Sequence, residues 1–145
     1  LDDLIKKSAD DRQDLLDKIK KIETKMKSLS QDMENINTIN KYREIYKYHK
    51  KNPEDKQFAD EYYSELSVYK IAAKEILENY KKLPNTKEIL FKLDKLQEKK
   101  NTLMQEYSFN KEQFSDLVQY RKNYEKYYGN EIERQIDWSK NNYVY

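Results

Sequence analysis

Residues 15–36 read LLDKIKKIETKMKSLSQDMENI, and apolar side chains recur in this stretch at alternating steps of four and three. A repeat of about 3.5 residues keeps one edge of a helix facing a supercoiled partner, so the pattern predicts a helix that lies against another helix. The same spacing extends back to the first residue. The whole ladder contains Leu1, Ile5, Ser8, Arg12, Leu15, Ile19, Ile22, Met26, Leu29, Met33 and Ile36.

Two prolines mark the corners of the chain. Proline biases the preceding residue away from helical backbone angles, so Asn52-Pro53 and Leu83-Pro84 predict breaks. Gly129, the only glycine, stands where a left-handed cap would end a helix. These signals predict helix 1 at about 2–51, helix 2 at about 54–81 and helix 3 at about 85–128, followed by a short helical extension at about 130–139 and a tail at 140–145.

Helix 3 carries a second ladder with the same spacing, from Ile89 to Tyr128. Polar residues interrupt this ladder at Lys100, Asn110 and Arg121. Polar residues in such a seam commonly determine the register or the oligomeric state, at a cost in stability.

The composition favours long helices with a thin core. Glycine and proline together account for three of 145 residues, and 39% of the residues are charged. The hydrophobic fraction of 37% suits helices that each bury only a stripe, and fourteen tyrosines can bury a ring while keeping the hydroxyl in water. Short corners make successive helices antiparallel. We therefore predict a single all-α domain, an elongated up-down-up three-helix bundle with coiled-coil-like overhangs.

The overhangs are predicted from unequal helix lengths. At a rise of about 1.5 Å per residue, helices 1 and 3 are each about 70 Å long, and helix 2 is about 40 Å long. An apolar seam that extends beyond the shared section is exposed and favours a partner. We therefore predict that a seam of Leu15, Ile19, Ile22 and Met26 pairs with another copy, giving a homodimer, or continues into a further domain.

Charge and residue usage limit the classes of function. The net charge is +2 with both signs interspersed, which is a weak electrostatic basis for binding nucleic acid. The chain has no cysteine, which excludes disulfides and thiolate chemistry. No apolar run approaches the roughly 20 residues that span a bilayer, so we expect no membrane insertion. Because the chain begins at Leu1 rather than Met, we expect a fragment or a processed product.

The sequence lacks the constellations that carry catalysis. His49 is the only histidine, so no second ligand of its type is available for a zinc or copper site, and its lysine neighbours would repel a cation. One glycine cannot form a phosphate-binding loop. The abundant carboxylates lie on faces that are also rich in lysine, where solvated ion pairs account for them. We expect no enzyme activity, no cofactor and no small-molecule substrate in this chain.

One basic stretch deserves comparison with nucleic-acid-binding surfaces. Cations alternate with aromatic residues near the end of helix 1, an arrangement that can contact phosphates and stack on bases. The opposing interpretation assigns Tyr42 and Tyr46 to the edge of the core and the cations to a solvated rim, and we favour it because acidic residues interrupt any basic track. The candidate surface for DNA or a partner consists of Lys41, Arg43, Lys47, Lys50 and Lys51.

Several short motifs resemble the C-terminal helical region of relaxases, the mobilisation nucleases of conjugative plasmids and integrative elements from Gram-positive bacteria. The similarity extends from about residue 36 to residue 128. It rests on Tyr42-Arg43-Glu44-Ile45-Tyr46, Ser64-Glu65-Leu66-Ser67-Val68-Tyr69 leading into Ala72-Ala73, Lys82-Leu83-Pro84-Asn85, Leu103 with Glu106-Tyr107-Ser108, and Lys122-Asn123.

The resemblance implies a non-catalytic role for this chain. Relaxases nick one DNA strand with a tyrosine nucleophile and a histidine-bound metal, both in an N-terminal domain, so no catalytic residue is transferred to this chain. It implies a cytoplasmic bacterial protein whose helical region assists assembly through contacts with transfer-origin DNA, accessory proteins or the secretion machinery. Two alternatives stay open at this point: a coiled-coil scaffold or oligomerisation module unrelated to DNA transfer, and a surface or secreted helical adhesion module.

Overall fold

The computed structural model describes the backbone of residues 1–143 and the side chains of residues 1–135. Within this part of the chain all regular secondary structure is helical, and no strand occurs. The all-α class is therefore confirmed. The four helices are α1 (Asp2–Lys51), α2 (Lys56–Glu61), α3 (Tyr63–Asn79) and α4 (Thr86–Tyr143).

α1 has the bounds predicted for helix 1, and the charged residues in its first and last turns match the helix dipole. Asp2 and Asp3 occupy the first turn, and basic residues occupy the last turn, so each terminus carries the sign that the helix dipole favours. The helix stops one residue before Asn52, the residue that Pro53 holds away from helical angles. The Tyr48 carbonyl accepts hydrogen bonds from the Asn52 backbone N–H at 2.9 Å and from the Asn52 side-chain amide at 3.0 Å, so Asn52 closes the last turn of α1.

The second predicted helix is two helices. The backbone leaves helical angles at Tyr62, where φ is −104° and ψ is 25°, so α2 and α3 replace the single helix expected at about 54–81. The Phe58 ring packs between Tyr48 at 4.2 Å and Tyr62 at 4.6 Å. These ring contacts hold α2 at the end of α1. The sequence around Tyr62 contains no helix-breaking residue, so tertiary packing rather than local preference separates α2 from α3.

α4 continues through Gly129, where the sequence predicted an end. No residue in the described backbone has a positive φ, so Gly129 does not form a left-handed cap. A glycine inside a helix costs about 1 kcal/mol relative to alanine, which is too little to end a helix with good helix formers on both sides. The predicted extension at 130–139 and the first part of the predicted tail, 140–143, are therefore turns of α4, and residues 144–145 lie outside the described residues.

The chain forms two compact units where we predicted one domain. Unit 1 contains Leu1–Lys20 and Asn101–Tyr145, and unit 2 contains Lys21–Lys100. The division follows from helix length. α2 and α3 belong entirely to unit 2, so that unit contains segments of all four helices, whereas unit 1 contains segments of α1 and α4 only.

Unit 2 contains a continuous apolar core from three helices. Ile36 of α1, Ile76 of α3 and Ile89 of α4 are each at most 2% exposed, and Ile39 and Ala72 join them. Burying a side chain of this size contributes about 1.5–3 kcal/mol. Ile36 and Ile89 are positions of the two predicted ladders, so the ladders supply the core of this unit.

Unit 1 is organised by polar contacts between two helices. The Asn110 side chain donates to the Ser8 carbonyl at 3.1 Å, and Arg121 forms an ion pair with Asp2 at 3.2 Å. Because a later residue of α4 contacts an earlier residue of α1, the two helices run antiparallel in this unit. Two of the three polar interruptions in the second ladder therefore contact α1 in unit 1. The third, Lys100, also contacts α1, through an ion pair with Glu23 at 3.7 Å in unit 2.

Candidate interaction surfaces

The seam predicted for dimerisation is already covered within one chain. Ile19 and Ile22 are only 7% and 6% exposed, and Leu15 and Met26 are half-buried. These side chains cannot meet a second copy without first losing their contacts in the monomer. At Ile19 and Ile22 the edge of α1 that carries the ladder is therefore covered by the chain itself, and pairing of this seam with a second copy stays an untested prediction.

The predicted basic surface lies at the end of α1 in unit 2. Lys41, Lys47, Lys50 and Lys51 are exposed, and Arg43 is half-buried. Intramolecular contacts engage three of these cations: Arg43 donates to Asn40 at 2.8 Å, Lys47 lies 3.7 Å from Glu44, and Lys41 lies 5.2 Å from the centre of the Tyr42 ring.

The aromatic residues of that stretch are also engaged. Tyr46 stacks on Tyr69 of α3 with ring centres 4.3 Å apart and an angle of 18° between the planes. This ring is therefore not free to stack on a base without separating α1 from α3. The arrangement supports the assignment of Tyr46 to the edge of the core, whereas DNA contact by the cations stays an untested prediction.

Within the part of the chain whose side chains are described, acidic residues and His49 do not gather into a metal site. Among the described residues, no group of three or more His, Cys, Asp or Glu side chains is close enough to hold an ion. His49 is half-buried, and its Nδ1 atom has no hydrogen-bond partner in the described part of the molecule. A single ring nitrogen is an insufficient ligand set for zinc or copper.

One apolar hollow in unit 2 was not expected from the sequence. It lies where α1, the end of α3 and the start of α4 meet, and has a volume of about 550 Å³. We call it the Tyr80 groove. Apolar and aromatic residues form much of its wall, three lysines stand in it, and its full lining consists of Lys25, Ser28, Leu29, Asp32, Asn79, Tyr80, Phe91, Lys92, Lys95 and Leu96.

A buried carboxylate anchors the wall of the Tyr80 groove. The Tyr80 hydroxyl donates to Asp32 at 2.7 Å, and Asp32 is only 7% exposed. This hydrogen bond, together with partial burial and the nearby negative charge, raises the pKa of Tyr80 to about 12. Asp32 is the only acidic residue in the lining, and its Oδ2 atom accepts the hydrogen bond from Tyr80.

The opening of the Tyr80 groove has exposed apolar and cationic groups. Phe91 is 62% exposed, and the Lys95 ammonium lies 5.3 Å from the centre of its ring. Lys92 also borders an adjacent hollow that contains Lys81 and Lys82. These two lysines, which precede the proline corner at Leu83-Pro84, therefore lie beside the Tyr80 groove. An apolar wall with unmatched positive charge suits an amphipathic ligand with negative charge.

A second exposed surface lies on α4 in unit 1. Four tyrosines and an isoleucine occur at helical steps that place them on one side of α4, and each is between 47% and 66% exposed. Tyr124 and Tyr128 have ring centres 4.4 Å apart, and Tyr127 meets Tyr128 edge-on at 5.6 Å. We call this surface the tyrosine strip. It contains Tyr120, Tyr124, Tyr127, Tyr128 and Ile132.

No helix in the described part of the chain combines the length and the apolarity needed to cross a bilayer. Comparison with known proteins identifies no relative: no family, no curated protein and no solved structure matches this chain.

Proposed function

We propose that this chain is a non-catalytic helical interaction module whose Tyr80 groove docks a segment of a partner protein. The observation that carries this proposal is the combination of an apolar wall, an exposed phenylalanine and three lysines around one hollow. Large apolar anchors supply most of the binding energy at such sites, and complementary charge supplies specificity. The expected ligand is a helix or peptide with apolar residues on one side and carboxylates on the other.

Within unit 2 both α3 and α4 run antiparallel to α1, in place of the up-down-up path predicted for three helices. For α4, Ile89 shares the core with Ile36, and the later residue Lys100 lies 3.7 Å from the earlier α1 residue Glu23.

Asn35 of α1 donates to Glu75 of α3 at 2.7 Å, and the earlier α1 residue Asp32 meets the later α3 residue Tyr80. This pairing makes α3 antiparallel to α1. Antiparallel neighbours leave grooves between their ends, and the Tyr80 groove occupies such a position.

The resemblance to relaxases supplies a specific context for the module. In that context the parent protein is a DNA-nicking relaxase of the bacterial cytoplasm, and this region assists relaxosome assembly, DNA positioning or coupling to the secretion machinery. The short motifs between residues 36 and 128 support this context, and the interaction surfaces described above are compatible with it. The alternative is a scaffold or oligomerisation module unrelated to DNA transfer.

Peptide binding by the intact chain tests the docking proposal. The probe is a fluorescent synthetic helix with leucines on one face and glutamates on the other, and the comparison probe carries lysines in place of the glutamates. Phe91→Ala is the test variant. Phe109→Ala is its matched control, because both phenylalanines belong to α4 and both are 62% exposed.

We expect the acidic probe to bind and Phe91→Ala to weaken its binding about tenfold. Loss of a central aromatic anchor typically costs about 1.4 kcal/mol or more, and 1.4 kcal/mol corresponds to a tenfold change in affinity. Phe109→Ala should leave the affinity unchanged. Absence of binding, or an equal loss in both variants, overturns the proposal. Tighter binding of the lysine probe than of the glutamate probe also overturns the proposal.

Two further observations separate the relaxase context from the scaffold. A histidine cluster and a tyrosine nucleophile in the sequence upstream of this region would establish the relaxase context. A gel-shift titration against salt tests DNA contact directly, because each phosphate neutralised adds about 0.9 to the slope of log affinity against log salt. A negligible slope argues against DNA contact by this chain and favours protein partners.

A further inference from the structure

The Tyr80 groove is bordered by two further hollows of unit 2. On the side of the proline corner and α4 it adjoins a hollow of about 470 Å³, which shares Tyr80 and Lys92 with it. On the side of α1 and α3 it adjoins a hollow of about 530 Å³, which shares Ser28, Asp32 and Asn79 with it. The two flanking hollows have no lining residue in common, so they lie on different borders of the groove.

The hollow on the side of the proline corner, which we call the corner hollow, is basic. Lys81, Lys82 and Lys92 line it, against one carboxylate, Glu88. All four residues are exposed, and none of the three lysines forms an ion pair with another described residue. Their positive charge is therefore unmatched within the described part of the chain, and it favours a negatively charged group on a ligand.

The hollow on the side of α1 and α3, which we call the acidic hollow, has the opposite balance. Asp32, Glu75 and Glu78 line it, against one lysine, Lys27. A ligand carboxylate on this border of the groove would lie beside like charges, which is unfavourable. The two borders of the Tyr80 groove therefore favour negative charge at one end of a ligand and disfavour it at the other.

We propose that the segment docked in the Tyr80 groove carries its carboxylates at one end, and that this end lies over the corner hollow. Its apolar residues pack on the groove wall beside Phe91, and the end that reaches the acidic hollow carries no acidic residue. Lys92 lines both the groove and the corner hollow, so it contacts the docked segment where its apolar part meets its acidic end. This orientation rests on the docking function proposed for the groove and adds the charge order of the partner.

The same charge distribution favours a protein segment over a nucleic acid. A nucleic acid carries negative charge along its whole length. A strand that spans the groove would place phosphates beside the acidic hollow as well as beside the corner hollow. A protein segment can confine its carboxylates to one end and present apolar side chains to Leu29, Leu96 and Phe91 in the groove.

Fluorescence anisotropy of the intact chain with two helical peptides of equal composition tests the orientation. Both peptides carry leucines on one face. The end-clustered probe has all its glutamates in the turns at one end, whereas the distributed probe has them spread along its length. We expect the end-clustered probe to bind about fivefold more tightly, because some carboxylates of the distributed probe lie beside the acidic hollow.

Lys82→Glu reverses one charge of the corner hollow, and Lys82 does not line the Tyr80 groove itself. Lys50→Glu is the matched control, because it makes the same change in net charge at an exposed position near the end of α1. We expect Lys82→Glu to weaken binding of the end-clustered probe about fivefold and the control to leave it unchanged. A probe with lysines in place of the clustered glutamates should bind Lys82→Glu more tightly than wild type. Circular dichroism confirms that each variant keeps its helices.

Phe91→Ala separates failure of the orientation from failure of the docking function. If Phe91→Ala weakens binding but Lys82→Glu does not, the segment docks in another orientation: the orientation proposed here is overturned, and docking stands. Absence of binding by every probe overturns both. Equal affinity of the two glutamate probes overturns the orientation, and so does displacement of the probe by a DNA oligonucleotide at a lower concentration than by unlabelled peptide.

Discussion

At the scale of single residues, a few polar side chains connect helices that are distant in sequence. The hydrogen bond from Tyr80 to Asp32 joins the end of α3 to α1 across 48 positions of the chain. Asn110 reaches the Ser8 carbonyl across 102 positions. An apolar ladder permits several registers between two helices, but a buried polar pair is satisfied in only one of them.

Tyr80→Phe removes the hydrogen bond from a buried carboxylate. We expect this variant to lose about 1–3 kcal/mol in the free energy of unfolding, because Asp32 keeps its desolvation cost without its donor. Urea unfolding measures the loss. Tyr63→Phe is the control, since Tyr63 is 72% exposed and its hydroxyl faces solvent. Equal stability of Tyr80→Phe and wild type would show that the bond does not form.

The same hydrogen bond predicts a dependence on alkaline pH. Folding raises the pKa of Tyr80 from 10.0 to about 12, so the folded chain holds the phenolic proton more tightly than the unfolded chain does. The contribution is complete below pH 10 and is lost as the pH rises towards about 12. The difference in unfolding free energy between wild type and Tyr80→Phe should therefore be constant at neutral pH and shrink across this window.

Asn110→Leu tests the polar seam position in unit 1. Asn110 is 9% exposed, and its Oδ1 atom has no hydrogen-bond partner among the described residues. Leucine removes this unsatisfied acceptor and adds apolar contact, so we expect the free energy of unfolding to rise by about 1 kcal/mol. Asn130→Leu makes the same substitution at an exposed position of α4 and controls for the higher helix preference of leucine. A clear loss of stability in Asn110→Leu would show that its bond to Ser8 outweighs the unsatisfied oxygen.

At the scale of helices, local sequence signals explain where α1 ends and where α4 begins better than where α4 ends. Asn85 accepts a hydrogen bond from the Lys87 backbone N–H at 2.9 Å, which caps the start of α4 at the predicted corner. Gly129 was predicted to end helix 3 and lies within α4 instead. A C-terminal cap requires positive φ as well as glycine, and only the three-dimensional backbone reveals φ.

Gly129→Ala should stabilise α4. An added Cβ would meet no atom within 4 Å, and the backbone at Gly129 has no positive φ that a side chain would strain. Alanine favours the helix over glycine by about 0.5–1 kcal/mol. We expect higher helical ellipticity and a higher thermal midpoint by circular dichroism. Gly129→Pro, which removes a helix hydrogen bond, should change both quantities in the opposite direction.

At the scale of the whole molecule, stability is distributed unevenly between the two units. The buried apolar residues in unit 2 include Ile22, Ile36, Ile39, Leu66, Ala72, Ile76 and Ile89, whereas those in unit 1 are Ile19 and Leu103, within the side chains described. Regions with less buried apolar surface open at lower free energy. The helices of unit 2 should therefore show the slowest amide hydrogen exchange.

Ile76→Ala is expected to weaken unit 2 selectively. Ile76 is 2% exposed in the apolar core, and truncation of a buried isoleucine typically costs about 2–5 kcal/mol. Hydrogen exchange followed by mass spectrometry should show faster exchange in α3 and in the parts of α1 and α4 that belong to unit 2. Ile71→Ala is the matched control on the same helix, because Ile71 is 60% exposed. Similar effects of both variants would contradict the assigned core.

The interaction surfaces illustrate how much of a site a sequence can predict. Leu29 and Leu96 belong to the predicted ladders, and both line the Tyr80 groove. Nothing in the spacing indicated that the ladders leave a hollow there, or that Tyr80 would turn towards Asp32. The tyrosine strip includes Tyr124 and Tyr128, which the second ladder also contained. The spacing along α4 did not indicate that these rings are exposed.

The sequence by itself determined that this chain is helical, where its proline corners lie and which edge of each long helix is apolar. These properties follow from backbone preferences and from side-chain spacing along one helix, which are local. Tertiary structure alone decided which apolar positions are covered. Ile19 and Ile22 are buried although they were predicted to be exposed, and Tyr124 is exposed although Ile89, Leu103 and Asn110 of the same ladder are buried. Burial depends on which distant segment of the chain lies opposite a given position, and periodicity along one helix does not identify that segment.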